Sequence, residues 1–150
     1  MAVRTKTIGI GPFMTMAIWG ILGRKIEHKE LNALMDKIKH VVGLQNDLIG
    51  LEKDIRSGEC MNSVLILARS GQVGDVVNEQ KTILARAQRV YEMHNQLVIE
   101  AVEIARNFLS RPIIDMTSEE KVAAMETILL VAQHHLHRST SAKRYDVVDQ

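Results

Sequence analysis

Apolar side chains in this chain recur every three or four residues over long stretches, and only two prolines, Pro12 and Pro112, interrupt them. That period belongs to the α-helix, and no run alternates apolar and polar residues as a half-buried strand does. The clearest pattern, from Lys29 to Arg56, places Leu31, Leu34, Met35, Ile38, Val41, Val42, Leu48 and Ile55 close to the i, i+3, i+4, i+7 spacing of one helix face. The fold class that follows is all-α, a helical bundle. A length of 150 residues suits one domain with a core of modest size.

Local signals divide the chain further. Pro12 suits a first helical turn, and the first helix is expected to run to Leu22 and end at Gly23. A charged linker, Arg24 to Lys29, leads into the second helix, which Ser57 and Gly58 terminate. A short apolar helix spans Asn62 to Ala68 and closes at Gly71. A long helix follows from Val73 to Leu109, and Pro112 marks the break after it. Thr117 and Glu120 have the spacing of a capping box, which opens a last helix from Ser118 to about His137. The tail from Arg138 to Gln150 is polar, so the expected bundle has about five helices.

Charge narrows the function. Lys and Arg total 19 against 18 Asp and Glu, a net charge of +1, which argues against a nucleic-acid or membrane-surface binder. A single cysteine, Cys60, allows no internal disulfide, and a reducing cytoplasm is the simplest setting. Residues Ile8 to Leu22 imitate a secretory signal behind Arg4 and Lys6. The stretch is shorter than the ~20 residues of a membrane span, contains Gly9, Gly11 and Pro12, and has no small-residue cleavage site after it. It reads as a buried core helix.

The segment with chemical content is Asn46-Asp47-Leu48-Ile49-Gly50-Leu51-Glu52-Lys53-Asp54. Asn46, Gly50 and Asp54 stand at i, i+4, i+8, successive positions along one side of a helix. Asn46 offers a carbonyl oxygen and Asp54 a carboxylate, both hard ligands of the kind Mg²⁺ takes alongside water and phosphate. Gly50 offers no ligand and costs a helix about 1 kcal/mol relative to Ala. Lys53 is a cation beside Asp54. Taken alone, the same residues also describe a solvated helix face with a glycine at a close contact.

This segment resembles the second metal motif of class I terpene synthases: Asn-Asp, an aliphatic residue, any residue, Ser or Thr, three residues and Glu, often with Lys before it. Asn46, Asp47, Leu48 and Lys53 are in register, while Gly50 replaces the hydroxyl residue and Asp54 the Glu. Asn62-Ser63-Val64 resembles the short Asn-containing helix that follows in bacterial members, and a very long helix comes next in both. Arg144-Tyr145 resembles the terminal Arg-Tyr pair, at a separation from Asn46 usual for the family. Arg4, ahead of Thr7-Ile8-Gly9, resembles the family's diphosphate-sensing Arg before a helix break, although it sits nearer to Asn46 than is usual. Read without the resemblance, Arg4 is a solvated N-terminal residue and Arg144-Tyr145 part of a polar tail.

The resemblance implies the C-terminal part of a class I terpenoid synthase fold over residues 1–150. The parent activity it implies is Mg²⁺-dependent ionisation and cyclisation of a prenyl diphosphate. Asn46 and Asp54, with water at Gly50, would hold Mg²⁺. Lys53, Arg144 and Tyr145 would bind diphosphate, and Arg4 would sense it. The family's first, aspartate-rich motif has no counterpart, because no Asp-Asp pair occurs in these residues. The chain is therefore expected to be an incomplete or inactive fragment, paired with a second copy or with a separate N-terminal half. The competing expectation is a non-catalytic helical interaction protein or a decayed synthase remnant. Either way, part of a bundle should expose an apolar face.

Other chemistry has less support. His134 and His137 are i, i+3 on a helix, but no acid or cysteine stands at a zinc-like spacing. His28, His40 and His94 read as surface or satisfied histidines, and Cys60 and Ser63 have no evident base.

Overall fold

The computed structural model describes residues 9–70 and 79–141. Among these residues there are six helices and no strand: α1 (Ile10–Leu22), α2 (Lys29–Ile49), α3 (Leu51–Arg56), α4 (Ser63–Arg69), α5 (Glu79–Ser110) and α6 (Ser118–Ser141). The expected all-α class holds, with three boundary corrections. The first helix starts at Ile10, because Pro12 still lies in the first turn, where a backbone N–H has no intrahelical partner to lose. The helix expected from Lys29 to Arg56 is interrupted at Gly50, raising the count from five to six. The last helix continues past His137 to Ser141. Residues 73–78, expected to begin the long helix, lie outside the described residues.

Helix ends follow their sequence signals. Gly23 takes φ 65°, a left-handed conformation that costs glycine little, and its N–H donates to the Trp19 carbonyl at 2.9 Å. At the end of α3, Gly58 takes φ 68°, and its N–H donates to Ile55 while that of Glu59 donates to the Asp54 carbonyl at 2.9 Å. These paired bonds form a Schellman cap. The capping box at α6 is complete: the Thr117 N–H donates to Glu120 at 2.8 Å, and the Glu120 N–H donates to the Thr117 hydroxyl at 3.2 Å.

α2 is the shared element. Its residues Leu31, Leu34, Met35 and Val42 join Met14 and Ile18 of α1, Ala101 and Phe108 of α5, and Ala124 and Ile128 of α6 in the main core. Farther along the same helix, Leu44 packs with Val64 of α4 and Val90 of α5 in a second cluster under the metal motif. The segment that imitated a signal peptide, expected to be a buried core helix, gives only one face (Ile10, Met14 and Ile18) to the core, while Phe13, Met16, Trp19 and Ile21 are exposed. No helix among the described residues is long and apolar enough to cross a membrane.

Polar side chains close the far end. Lys121, only 5% exposed, donates from Nζ to the carbonyls of Leu109 and Arg111, both at 2.9 Å, satisfying acceptors at the end of α5. Arg24, in the α1–α2 linker, pairs with Glu120 at 2.9 Å and also donates to the Asp115 carbonyl.

The Thr117 N–H and then the Arg24 guanidinium hold the Glu120 carboxyl below its ordinary range. A folded-state pKa lowered in this way stabilises the fold above the unfolded pKa, and the contribution is lost as pH falls through the folded value. Thr117→Ala should lower unfolding free energy by about 1 kcal/mol at neutral pH. Glu120→Gln should flatten the acid limb of the stability profile. Denaturant unfolding followed by circular dichroism from pH 7 down to pH 3 measures both.

Candidate metal site

The motif straddles the junction of α2 and α3. Gly50 keeps a near-helical backbone (φ −82°, ψ −2°), accepting from Asp54 N–H and donating to the Asn46 carbonyl, both at 2.9 Å. The helical register therefore carries through, and Asn46, Gly50 and Asp54 remain one turn apart from each other. Each four-residue step still turns by ~40°, so Asp54 lies ~80° round from Asn46 and ~20° from Asp47, with ~12 Å of axial rise between Asn46 and Asp54. Asp54 shares its side of the helix more closely with Asp47 than with Asn46.

What lies on that side is α4. Asn62, fully buried, makes three hydrogen bonds from one side chain. Its Oδ1 accepts from the Val64 N–H at 2.9 Å, capping α4. Its Nδ2 donates to the Asp47 carbonyl at 2.7 Å and to Asp54 Oδ2 at 2.8 Å. Beside it, Asp47 Oδ2 accepts from the Ser63 N–H at 2.9 Å and from the Ser63 hydroxyl at 2.6 Å. Asp47 is fully buried, Asp54 is 7% exposed, and the first amide of α4, that of Ser63, donates to Asp47.

The acids of the motif therefore divide their tasks. Asp47 anchors α4 to α2. Asp54 is a buried carboxylate whose orientation is set by the Asn62 amide, the arrangement by which outer partners orient ligating carboxylates. Asn62 is one partner of the Asp54 carboxylate, which is a hard oxygen ligand of the kind Mg²⁺ takes. Asn46 is half-buried and Lys53 exposed. Among the described residues no group of three His, Cys, Asp or Glu side chains could hold a metal by itself. One amide oxygen and one carboxylate fit Mg²⁺, which keeps several waters and takes phosphate oxygens as further ligands. They do not fit a closed zinc site.

A family model, terpene synthase family 2, C-terminal metal binding, matches residues 1–105. The chain belongs to the terpene synthase family. The match covers Arg4, the Asn46-to-Asp54 motif, α4 and most of α5, and it ends before α6 and Arg144-Tyr145. Comparison with curated proteins and with solved structures found no match.

For this terpene synthase chain, the structure brings Asn46, Gly50, Lys53 and Asp54 together on one helical run. Arg4, Arg144 and Tyr145 lie outside the described residues. Asn62 and Asp47 were missed as positioning residues. The signal for Asn62 was present, since Asn-Ser ahead of an apolar run is a helix start. Asp47 was hidden by the family pattern, which draws attention to its neighbour Asn46. His28 packs its ring against Phe108 at a centroid distance of 5.8 Å.

Asn62→Ala removes the α4 cap and leaves the buried Asp47 carbonyl and Asp54 carboxylate without their donor, so unfolding free energy should fall by about 3 kcal/mol. Asn62→Asp keeps the cap but sets a second carboxylate against Asp54, and it should be destabilising at pH 7 and partly recover as pH is lowered. Equilibrium denaturation of both variants tests this, and a change within about 0.5 kcal/mol for Asn62→Ala would remove the role assigned to the side chain.

Proposed function

We propose that this chain provides the second metal motif and the diphosphate grip of a terpene synthase acting on a prenyl diphosphate. The carrying observation is the buried Asp54 carboxylate, oriented by Asn62 at the end of the motif helix. Mg²⁺ held there supplies positive charge to the departing diphosphate, the electrostatic assistance that ionisation of an allylic C–O bond needs.

The chain's own residues have these parts. Asn46 offers its amide oxygen and Asp54 its carboxylate to the cation. Gly50 offers nothing, so water fills the place of the family's hydroxyl. Asp54 reaches less far than Glu by one methylene. Lys53 is adjacent to Asp54 and exposed, where its ammonium meets a phosphate oxygen. Arg144 and Tyr145 bind the diphosphate, the guanidinium in a forked, two-point contact. Arg4 senses the same group. A reducing cytoplasm, where exposed Cys60 stays a thiol, suits this chemistry.

Two departures inside the motif, Gly50 for the family's hydroxyl residue and Asp54 for its Glu, favour a second reading, a non-catalytic helical protein of synthase ancestry. Calorimetric titration with inorganic diphosphate, with and without Mg²⁺, separates the two. Metal-dependent binding should appear in the parent chain and weaken by about 10- to 100-fold in Asn46→Ala/Asp54→Ala. No binding to a folded chain would leave the second reading. The chain alone should not turn over farnesyl or geranyl diphosphate, and product by gas chromatography would overturn that expectation.

A further inference from the structure

Asn46 and Asp54 stand eight residues apart on one helical run, and both side chains are short. A helix separates two such Cα atoms by about 12.4 Å, from ~12 Å of rise and ~80° of turn. A fully extended Asn or Asp carries its oxygen about 3.7 Å from Cα, and Mg²⁺ sits ~2.1 Å from a ligand oxygen. One ion between the two side chains therefore bridges at most about 11.6 Å, and only on a straight line. That line follows the helix backbone past Gly50, so an ion outside the helix needs still more reach. A Glu in place of Asp54 would add about 1.2 Å, which takes the span past the separation. Asp54 is also held away from that line. Its Oδ2 accepts from Asn62 Nδ2 at 2.8 Å, and Asn62 is fully buried in the corner with α4. Swinging Asp54 towards Asn46 would take an acceptor from that buried amide.

We propose that Asn46 binds the Mg²⁺ directly and that Asp54 holds the same ion only through one of its waters. The inference rests on the metal reading proposed above and concerns how the two side chains share the ion. Asn46 is half-buried and lies ~100° round the helix from Asp47 and the α4 corner. Mg²⁺ gives up its waters reluctantly and commonly keeps several of them in a protein site. A water on the ion donates to a carboxylate in a charge-assisted hydrogen bond, so Asp54 still favours the cation without touching it. Asp54 is then a positioning residue, and Asn62, by fixing Oδ2, sets where the water is held. The exchange of Glu for Asp at this position changes the kind of contact and not only its strength.

Counting the waters on the ion tests this. Mn²⁺ takes the same octahedral oxygen sites as Mg²⁺, and in ¹⁷O-labelled water its electron paramagnetic resonance lines broaden with each water bound. The sample is the full chain with Mn²⁺ and inorganic diphosphate. Asp54→Ala should weaken metal-dependent diphosphate binding by about 10-fold and leave the number of bound waters unchanged, because no direct ligand is lost. Asp54→Glu should lower that number by one and tighten binding by about 10-fold, as a carboxylate replaces a water on the ion. Circular dichroism shows which variants are folded, and either comparison with the parent chain decides the matter. One more bound water in Asp54→Ala, or an unchanged number with no gain in affinity in Asp54→Glu, would overturn the inference while leaving the metal reading in place. No metal-dependent binding by the parent chain would overturn the metal reading and this inference with it.

Discussion

The Asn62 side chain ties three pieces of backbone to one carboxylate. It caps α4, binds the carbonyl of Asp47 in α2 and holds Asp54 at the start of α3. A buried amide that loses these partners would carry an uncompensated desolvation penalty, and so would each partner. The corner therefore has one low-energy arrangement. Asp47, bonded twice to Ser63, makes the same junction from the other side. Asp54, the carboxylate of the proposed cation site, points where Asn62 holds it.

The corner depends in turn on α2. The first half of that helix belongs to the main core and the second half to the smaller cluster with α4 and α5. A helix packed on several sides has little surface left for function, and the motif lies where α2 emerges from the core into the Gly50 junction. Gly50 weakens the helix locally without turning it, as its two 2.9 Å hydrogen bonds show. The motif keeps helical spacing while the chain retains a place to bend towards α4.

α5 shows the opposite economy. One side completes both apolar clusters, and another side carries a seam with the spacing of a coiled coil. Partition of apolar residues between two faces of one helix is costly in water unless both are covered. On that second side Leu84, Tyr91, Val98, Val102 and Leu109 are exposed, while Ala105 packs against the main core.

Much of this was legible in the residues themselves. Periodicity, glycine stops at Gly23 and Gly58 and the Thr117–Glu120 box depend on neighbours within a turn or two, and short-range signals of that kind survive folding unchanged. The motif from Asn46 to Asp54 was legible for the same reason, since helical spacing is a local property. Its side-chain orientations were not. Whether Asp47 or Asp54 faces solvent, a cation or α4 depends on where a segment 8 to 16 residues away returns, and that return is decided by the burial of Val64 and Leu44 in a shared cluster. The buried lysine at Lys121 is a similar case, as nothing within a turn of it reveals the open carbonyls at the end of α5. Residue identities determined an all-α chain with a terpene synthase motif on its second helix. Tertiary packing alone decided which partner each acid takes at the start of α4, Ser63 for Asp47 and Asn62 for Asp54, because desolvation and hydrogen bonding act between groups that only the closed chain brings together.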